Sequence, residues 1–180
     1  AAAIGSEFLV KVCLEALEDD PGTLVVGAVS RDGTGVDELG VPLLGLDGDL
    51  PEIAVRHDAS AVFVAIGDNA ARAAVTRRCE AAGLQVARAI SRYAMVSERA
   101  TIAEGAAVLP GGVVNAGTKI GRGAVVNTNA SVDHDCVIGD HVHVAPGVAI
   151  AGGVRIGAGT LVGLGARVLP NLRIGARAVV

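Results

Sequence analysis

The sequence predicts a small α/β unit followed by a six-residue solenoid. Three observations carry that fold class. Branched aliphatics recur at every sixth position from Val96 to Val180 without a missed step. Short β-rich runs alternate with helical periodicity over residues 1–90. The composition is 51% hydrophobic but only 2% aromatic, so Val, Ile, Leu and Ala must fill the interior in narrow layers. Two domains follow, 1–90 and 91–180.

The six-residue series runs Val96, Ile102, Val108, Val114, Ile120, Val126, Val132, Ile138, Val144, Ile150, Ile156, Val162, Val168, Ile174 and Val180. Four places after these, small or β-branched residues recur, among them Ala106, Thr118, Ala124, Ala130, Cys136, Val142 and Thr160. A period of six suits neither a 3.6-residue helix nor an alternating strand. It marks a solenoid whose sides are single hexapeptides, three of which close a coil of about 18 residues. Apolar residues then stack on their counterparts in the next coil, and Gly and Asn serve the corners that need positive φ. A Gly-rich linker is the competing explanation, but a flexible segment has no buried face to hold aliphatics in phase.

In the first half, "TLVVGAV" (Thr23 to Val29) and "AVFVAIG" (Ala61 to Gly67) read as buried parallel strands. Helices are predicted over Phe8 to Glu18 and Ala70 to Ala82. The order βαβ…βα places a ligand at the carboxyl ends of the strands. "AIGDNAAR" stands at such an end: Gly67 allows close backbone approach, and Asp68 or Asn69 either caps the next helix or meets a ligand. The first turn, "AIGSEF", offers Gly5 and Ser6 as a weak phosphate-loop signal with a single Gly.

The formal net charge of −4 argues against a polyanion-binding surface, so nucleic acid is not an expected partner. Cys13, Cys79 and Cys136 are widely spaced and form neither a CxxC pair nor an even disulfide framework, which fits a reducing cytoplasm. No membrane span and no signal peptide are visible, and the chain starts "AAAIG" without Met, as a trimmed or an incomplete start would.

Together the halves resemble the hexapeptide-repeat sugar acyltransferases of the sialic-acid O-acetyltransferase-like family, in particular the perosamine-type N-acetyltransferases of nucleotide-linked 4-amino-sugars. The resemblance covers nearly the whole chain and rests on "FVAIGDNAAR", "VVNTNASVDHDCVIGDHVHVAPG", "IAGGVRIG" and "VGLGARVLPNLRIGA". It implies a Rossmann-like N-terminal domain for the nucleotide-sugar, a left-handed parallel β-helix, a homotrimer and acetyl-CoA as co-substrate. The nucleotide-sugar would meet Gly5, Ser6, Asp32, Gly67, Asp68 and Asn69, and Leu164 of the last motif would stand by the coenzyme. Two features depart from the family pattern. Ser6-Glu7 replaces a Gly-His pair, and Ser30-Arg31-Asp32 stands where an acidic residue commonly follows the second strand. The chain stops in phase at Val180, where relatives add coils and a short tail, so the β-helix is expected to lack its C-terminal coils.

Within the solenoid, "SVDHDCVIGDHVHV" gathers three His and three Asp among small residues. Acetyl transfer to an amine needs a base for the proton and a donor for the oxyanion, and histidine suits the first near neutral pH. His134 falls two places after inward Val132, at a corner, with Asp133 and Asp135 flanking it; either could orient the imidazole. The resemblance picks His134 as base and Asp135 as partner. One coil onward stands Gly152, whose missing side chain would leave room for a thioester and expose an amide. The resemblance further places His143 beside acetyl-CoA and Asn127 as a polar neighbour, while His141 has no counterpart and reads as a surface residue. A solvated polar corner and a metal site are the rivals. Three adjacent side chains of an Asp-His-Asp run converge poorly on one ion, so no metal is expected. Cys136 falls at an inward repeat position and reads as packing rather than a nucleophile. Sugar O-acetylation, or a non-catalytic nucleotide-sugar-binding scaffold, are the alternative functions.

Overall fold

The computed structural model describes residues 2–5, 7–33 and 40–180. The first unit is a five-stranded parallel sheet in the order β3-β2-β1-β4-β5. Its strands are β1 (Ala2–Gly5), β2 (Gly27–Ser30), β3 (Leu43–Leu46), β4 (Ala61–Ala65) and β5 (Gln85–Val86). Helix α1 (Glu7–Glu18) covers one face, where Leu9, Cys13, Leu14 and Leu17 meet Ala28, Phe63 and Ala65. Helices α2 (Leu50–Arg56) and α3 (Asn69–Ala81) serve the other, with Leu50, Ile53, Val75 and Cys79 against Val29, Val62 and Val64. Successive strand residues go to opposite faces, which is why Phe63 and Val64 belong to different cores.

The strand expected over Thr23 to Val29 is shorter and later. Asp20 ties down the segment before it, accepting from Gly22 N at 3.0 Å and Thr23 Oγ1 at 2.9 Å, so pairing with β1 begins only at Gly27. β3, α2 and β5 carried no clear sequence signal. Pro42, Gly45 and Gly48 break the periodicity around β3, and β5 has two residues.

From Ala89 onward the chain winds into a three-sided parallel coil of two-residue strands: β6 (Ala89–Ile90), β7 (Met95–Val96), β8 (Thr101–Ile102), β9 (Ala107–Val108), β10 (Val113–Val114), β11 (Lys119–Ile120), β12 (Val125–Val126), β13 (Ser131–Val132), β14 (Val137–Ile138), β15 (His143–Val144), β16 (Ala149–Ile150), β17 (Arg155–Ile156), β18 (Leu161–Val162), β19 (Arg167–Val168) and β20 (Arg173–Ile174). They stack as three five-stranded sheets: β6-β9-β12-β15-β18, β7-β10-β13-β16-β19 and β8-β11-β14-β17-β20. The register is the predicted one, Val114 on Val132 and Val132 on Ile150, an advance of one coil per step. The inward aliphatics from Val108 to Val168 are buried, as are Ala106, Thr118, Ala124, Ala130, Cys136 and Val142. The stacked sheets fit a left-handed parallel β-helix.

Every sixth residue from Gly105 to Arg177 has positive φ, and where it is not Gly it is Asn129, Asp135, His141, Asn171 or Arg177. Each of these five leans over a glycine of the preceding coil: Asn129 over Gly111, Asp135 over Gly117, His141 over Gly123, Asn171 over Gly153 and Arg177 over Gly159. A Cβ on Gly117, for example, would lie 2.4 Å from Asp135 Oδ1. At these positive-φ positions a side chain therefore lies above a residue that has none.

The two units share a core. Outward Ala107 and Val125 of the β6-β9-β12-β15-β18 face pack with α1 side chains and Leu109. Polar ties reinforce the seam: Asp19 accepts from Arg92 N at 2.8 Å, Arg92 Nε at 2.5 Å and Ser91 Oγ at 3.0 Å, and Arg122 pairs with Glu80.

Candidate active site

The turn after β13 (Ser131–Val132) carries His134 and Asp135. Asp135 holds φ at +59°, a conformation that Asp tolerates better than most residues. Its Oδ2 lies 2.9 Å from His134 Nδ1. That carboxylate accepts a hydrogen bond from Nδ1–H, leaving Nε2 as the basic nitrogen. Asp133 completes the corner. Its Oδ1 accepts from His134 N at 2.8 Å and from Asn115 Nδ2, one coil earlier, at 2.9 Å. The two donors hold the Asp133 carboxyl below the ordinary range. The His134 imidazole is pushed above its ordinary value, first by the Asp135 hydrogen bond and next by the Asp133 charge, with burial opposing weakly. Beneath the corner, the buried Thr118 hydroxyl donates to Asp133 O at 2.6 Å and accepts from Cys136 N at 3.0 Å. The Cys136 Sγ donates to Ala151 O at 3.2 Å, and burial raises its thiol, so it is packing and not a nucleophile.

Gly152 stands where the coil count put it, against the ring of His134. A Cβ there would fall 2.6 Å from Nε2 and 2.7 Å from Cε1. The space that its missing side chain leaves is filled by the imidazole, and the residue itself is buried.

His143 belongs to a second cluster. It follows Val125 on the face that meets the first unit, one coil on, and is half-buried. Asn127 Oδ1 accepts from Thr128 N at 2.8 Å, which turns its Nδ2 toward His143 Nε2 at 3.0 Å. His143 Nδ1 then carries the proton and faces Gly67 O at 3.3 Å, at the end of the first unit's central strands. Burial, then the Arg72 charge, hold this imidazole below its ordinary value and neutral. His134 stands on the edge of the prism opposite the face that carries His143, because β13 and β14 (Val137–Ile138) separate that edge from β12 (Val125–Val126) and β15 (His143–Val144). Exposed Leu164 lies on the edge of Asn127 and Thr128, two coils further along.

The sheet order reverses at β1, so Gly5, the bend containing Asp32, and the Gly67–Asn69 turn share one carboxyl edge. Ser6 lies outside the described residues. Asp68 is the N-cap of α3, its Oδ1 accepting from Ala71 N at 2.7 Å. Asn69 faces the β-helix, donating from Nδ2 to Gly159 O at 3.1 Å. His141 is not the surface residue expected. Its ring lies on Gly123 and its Nδ1 is buried without a partner among the described residues, and burial lowers its pKa.

Two further residues support the site. Asn115 is found by counting one coil back from Asp133, the same count that links His134 to Gly152. Arg72 had a different signal: a cation in the first turns of α3 opposes the helix dipole and needs some other reason to be there. It is 1% exposed and donates to five oxygens. Among the described residues, no group of three or more His, Cys, Asp or Glu is arranged to hold a metal, and no helix is long and apolar enough to cross a membrane.

The chain is similar to known proteins. The bacterial transferase hexapeptide family (six repeats) matches residues 117–152, which contain the His134 corner, Asn127 and His143. No curated protein matches. Among solved structures, a histidine-to-asparagine variant of perosamine N-acetyltransferase from Caulobacter crescentus, in complex with CoA and GDP-perosamine, is 38% identical. It aligns over 99% of this chain and 84% of that one with a TM-score of 0.92. PerB from the same organism, also with CoA and GDP-perosamine, is 39% identical over 99% and 84% of the two chains, with a TM-score of 0.90. The acetyltransferase domain of PglB from Neisseria gonorrhoeae FA1090, in complex with acetyl coenzyme A, is 30% identical over 99% and 86%, with a TM-score of 0.86. The chain belongs to the hexapeptide-repeat sugar acyltransferases of the sialic-acid O-acetyltransferase-like family, among the N-acetyltransferases of nucleotide-linked 4-amino-sugars.

Proposed function

We propose that the chain transfers acetyl from acetyl-CoA to the amino group of a nucleotide-activated amino-sugar, by direct attack of the amine on the thioester. One observation carries the reading: an imidazole on a β-helix edge whose Nδ1 is held 2.9 Å from a carboxylate and whose Nε2 is left basic. His134 Nε2 takes the ammonium proton as the new C–N bond forms, and Asp135 stabilises the resulting imidazolium. The same proton then serves the departing CoA thiolate.

The first unit, residues 1–90, is read as a Rossmann-like domain that receives the nucleotide at the carboxyl edge of Gly5, Asp32, Gly67, Asp68 and Asn69, with Ser6, next in the sequence after Gly5, as a further contact. Residues 91–180 carry the chemistry, with His143, Asn127 and Leu164 toward acetyl-CoA and Gly152 seating the base. His134 and His143 lie on opposite parts of one prism, which supports a homotrimer in which one copy supplies the base and the next supplies His143. Absence of a membrane-crossing helix among the described residues and three unpaired cysteines support a cytoplasmic protein.

The test is thiol release from acetyl-CoA with a panel of GDP- and UDP-linked amino-sugars, GDP-perosamine first because it is bound by three of the similar structures. Turnover that requires a free amine, and is lost in His134→Ala, is expected. Equal turnover with a sugar bearing only hydroxyls would make the chain an O-acetyltransferase.

A further inference from the structure

The Arg72 guanidinium uses every N–H it has, all on oxygens, and none of them belongs to a carboxylate. Nε donates to Gly123 O at 2.7 Å. Nη1 donates to Ile66 O at 2.7 Å and Gly67 O at 3.1 Å. Nη2 donates to Asn69 Oδ1 at 2.7 Å and His141 O at 2.9 Å. Burial costs this cation part of its proton affinity, which the Asp68 charge only partly restores, and its pKa is lowered to about 10. A buried charge of this kind persists only when its geometry is fully met, because losing the cation leaves several carbonyls unpaired at once.

Two of those bonds reach beyond packing. Gly123 and His141 are successive corners of one prism edge, and Asn69, itself held by Arg72, donates to Gly159, the next corner of that edge. Arg72 and Asn69 thus clamp three consecutive coils to the start of α3. Gly67 O, meanwhile, receives both Arg72 Nη1 and His143 Nδ1. The carbonyl that dictates which nitrogen of His143 is protonated is aimed by the guanidinium.

We infer that Arg72 is a positioning residue for the coenzyme side of the site: by fixing the Gly67 carbonyl against the coil edge it holds His143 in its Nδ1–H tautomer, with Nε2 turned to Asn127. The inference rests on the reading of His143 as a contact of acetyl-CoA. It gives the seam between the units a task in the reaction, since the strand end offered to the nucleotide and the imidazole offered to the coenzyme meet on one carbonyl. Lysine cannot replace the fork, because an ammonium has three donors radiating from one point.

The experiment is ¹⁵N-histidine NMR on the full chain, with His143 assigned through His143→Gln. In the parent, His143 should show a protonated Nδ1 and an unprotonated Nε2; an Nε2–H signature in the parent overturns the inference without any variant of Arg72. Arg72→Lys should mix the two signatures and raise the KM for acetyl-CoA about fivefold, the weight of one hydrogen bond, with kcat changed less. Asn69→Ala is the control for stability. It should lower Tm while His143 keeps its parental signature, because Gly67 O stays bonded to Arg72. If Arg72→Lys lowers Tm and leaves both the His143 signature and the KM as in the parent, Arg72 is a structural staple only. Titration of acetyl-CoA into the parent separates the underlying reading: His143 resonances that stay unmoved at saturation overturn the coenzyme contact and leave the tautomer result standing.

Discussion

The imidazole of His134 lies directly on Gly152, the residue one coil above it, so closely that a Cβ would be 2.6 Å from Nε2. The base is thus positioned from two sides, by the Asp135 carboxylate at Nδ1 and by a glycine against the ring. Gly152→Ala should move the ring off its seat without reaching the aliphatic stack. An expected outcome is a fall in kcat of about 10- to 100-fold, within the span of a displaced general base, with Tm lowered by only a few degrees. Steady-state kinetics and a melting curve check both; parental kcat would mean that the ring works from another position.

His134→Ala should lower kcat by about 10²- to 10⁴-fold and leave the melting temperature nearly unchanged, because the side chain is mostly exposed. The pH dependence has a definite sign. Asp135 and Asp133 favour the imidazolium, so the neutral base appears only above the ordinary imidazole value of 6.5, and kcat should rise with pH through a limb displaced upward from there. Asp135→Asn removes the leading cause of that displacement. Its limb should move to lower pH and its plateau should fall, since the ring loses orientation and basicity together. A limb that stays put in Asp135→Asn would assign the titration to another group.

The coil register can be tested by stability alone. Ile156 is 3% exposed and stacks on Ile138 and Ile174, while its neighbour Arg155 points outward. Ile156→Asp should cost several kcal/mol, because the carboxylate has no polar partner inside the prism. Arg155→Asp should cost less than about 0.5 kcal/mol. Chemical denaturation of the two variants decides; comparable midpoints would refute the inward phase.

Asn115→Ala tests the support beneath the base. It removes one of the two donors to Asp133 while leaving His134 and Asp135 in place. Stability should fall by about 1 kcal/mol and kcat by a small factor, with a larger effect on kcat than on either KM. A change confined to the sugar KM would make Asn115 a substrate contact instead.

The parts of this structure legible in the sequence are those that depend on period. Val132, Ile150 and Val168 stack because each is three hexapeptides from the last, and the same count led from His134 to Gly152. The seam was not legible, because it joins residues with no common period: Gly67 and His143 are 76 positions apart, and Arg72 and Gly123 are 51 apart. Asp68 shows a further reason. The same oxygen suits a helix cap or a ligand, and only the 2.7 Å bond from Ala71 N shows that the cap is made. Nothing in the hexapeptide of His141 requires burial, so its sequence suggests a surface residue; its setting comes from the glycine of the coil before and from the Arg72 fork of α3 alongside.

The separation of His134 from His143 within one prism leads to the last prediction. A single coil has three sides, and the edge that carries His134 faces away from the side that carries His143. If one acetyl-CoA touches both, two copies must meet across it. Then His134→Ala and His143→Ala chains, each weak alone, should complement when mixed, denatured and refolded together. In a cyclic trimer of random composition at equal ratio, a site takes its base from a His143→Ala chain and its second histidine from a His134→Ala chain about one time in four. Activity at acetyl-CoA concentrations below KM should therefore recover to about a quarter of the parental value. Size-exclusion chromatography with light scattering verifies that the mixed species has the parental mass. Mixed oligomers of that mass with no gain over the two separate variants would place both histidines in the service of different sites, and would sink the shared-site arrangement.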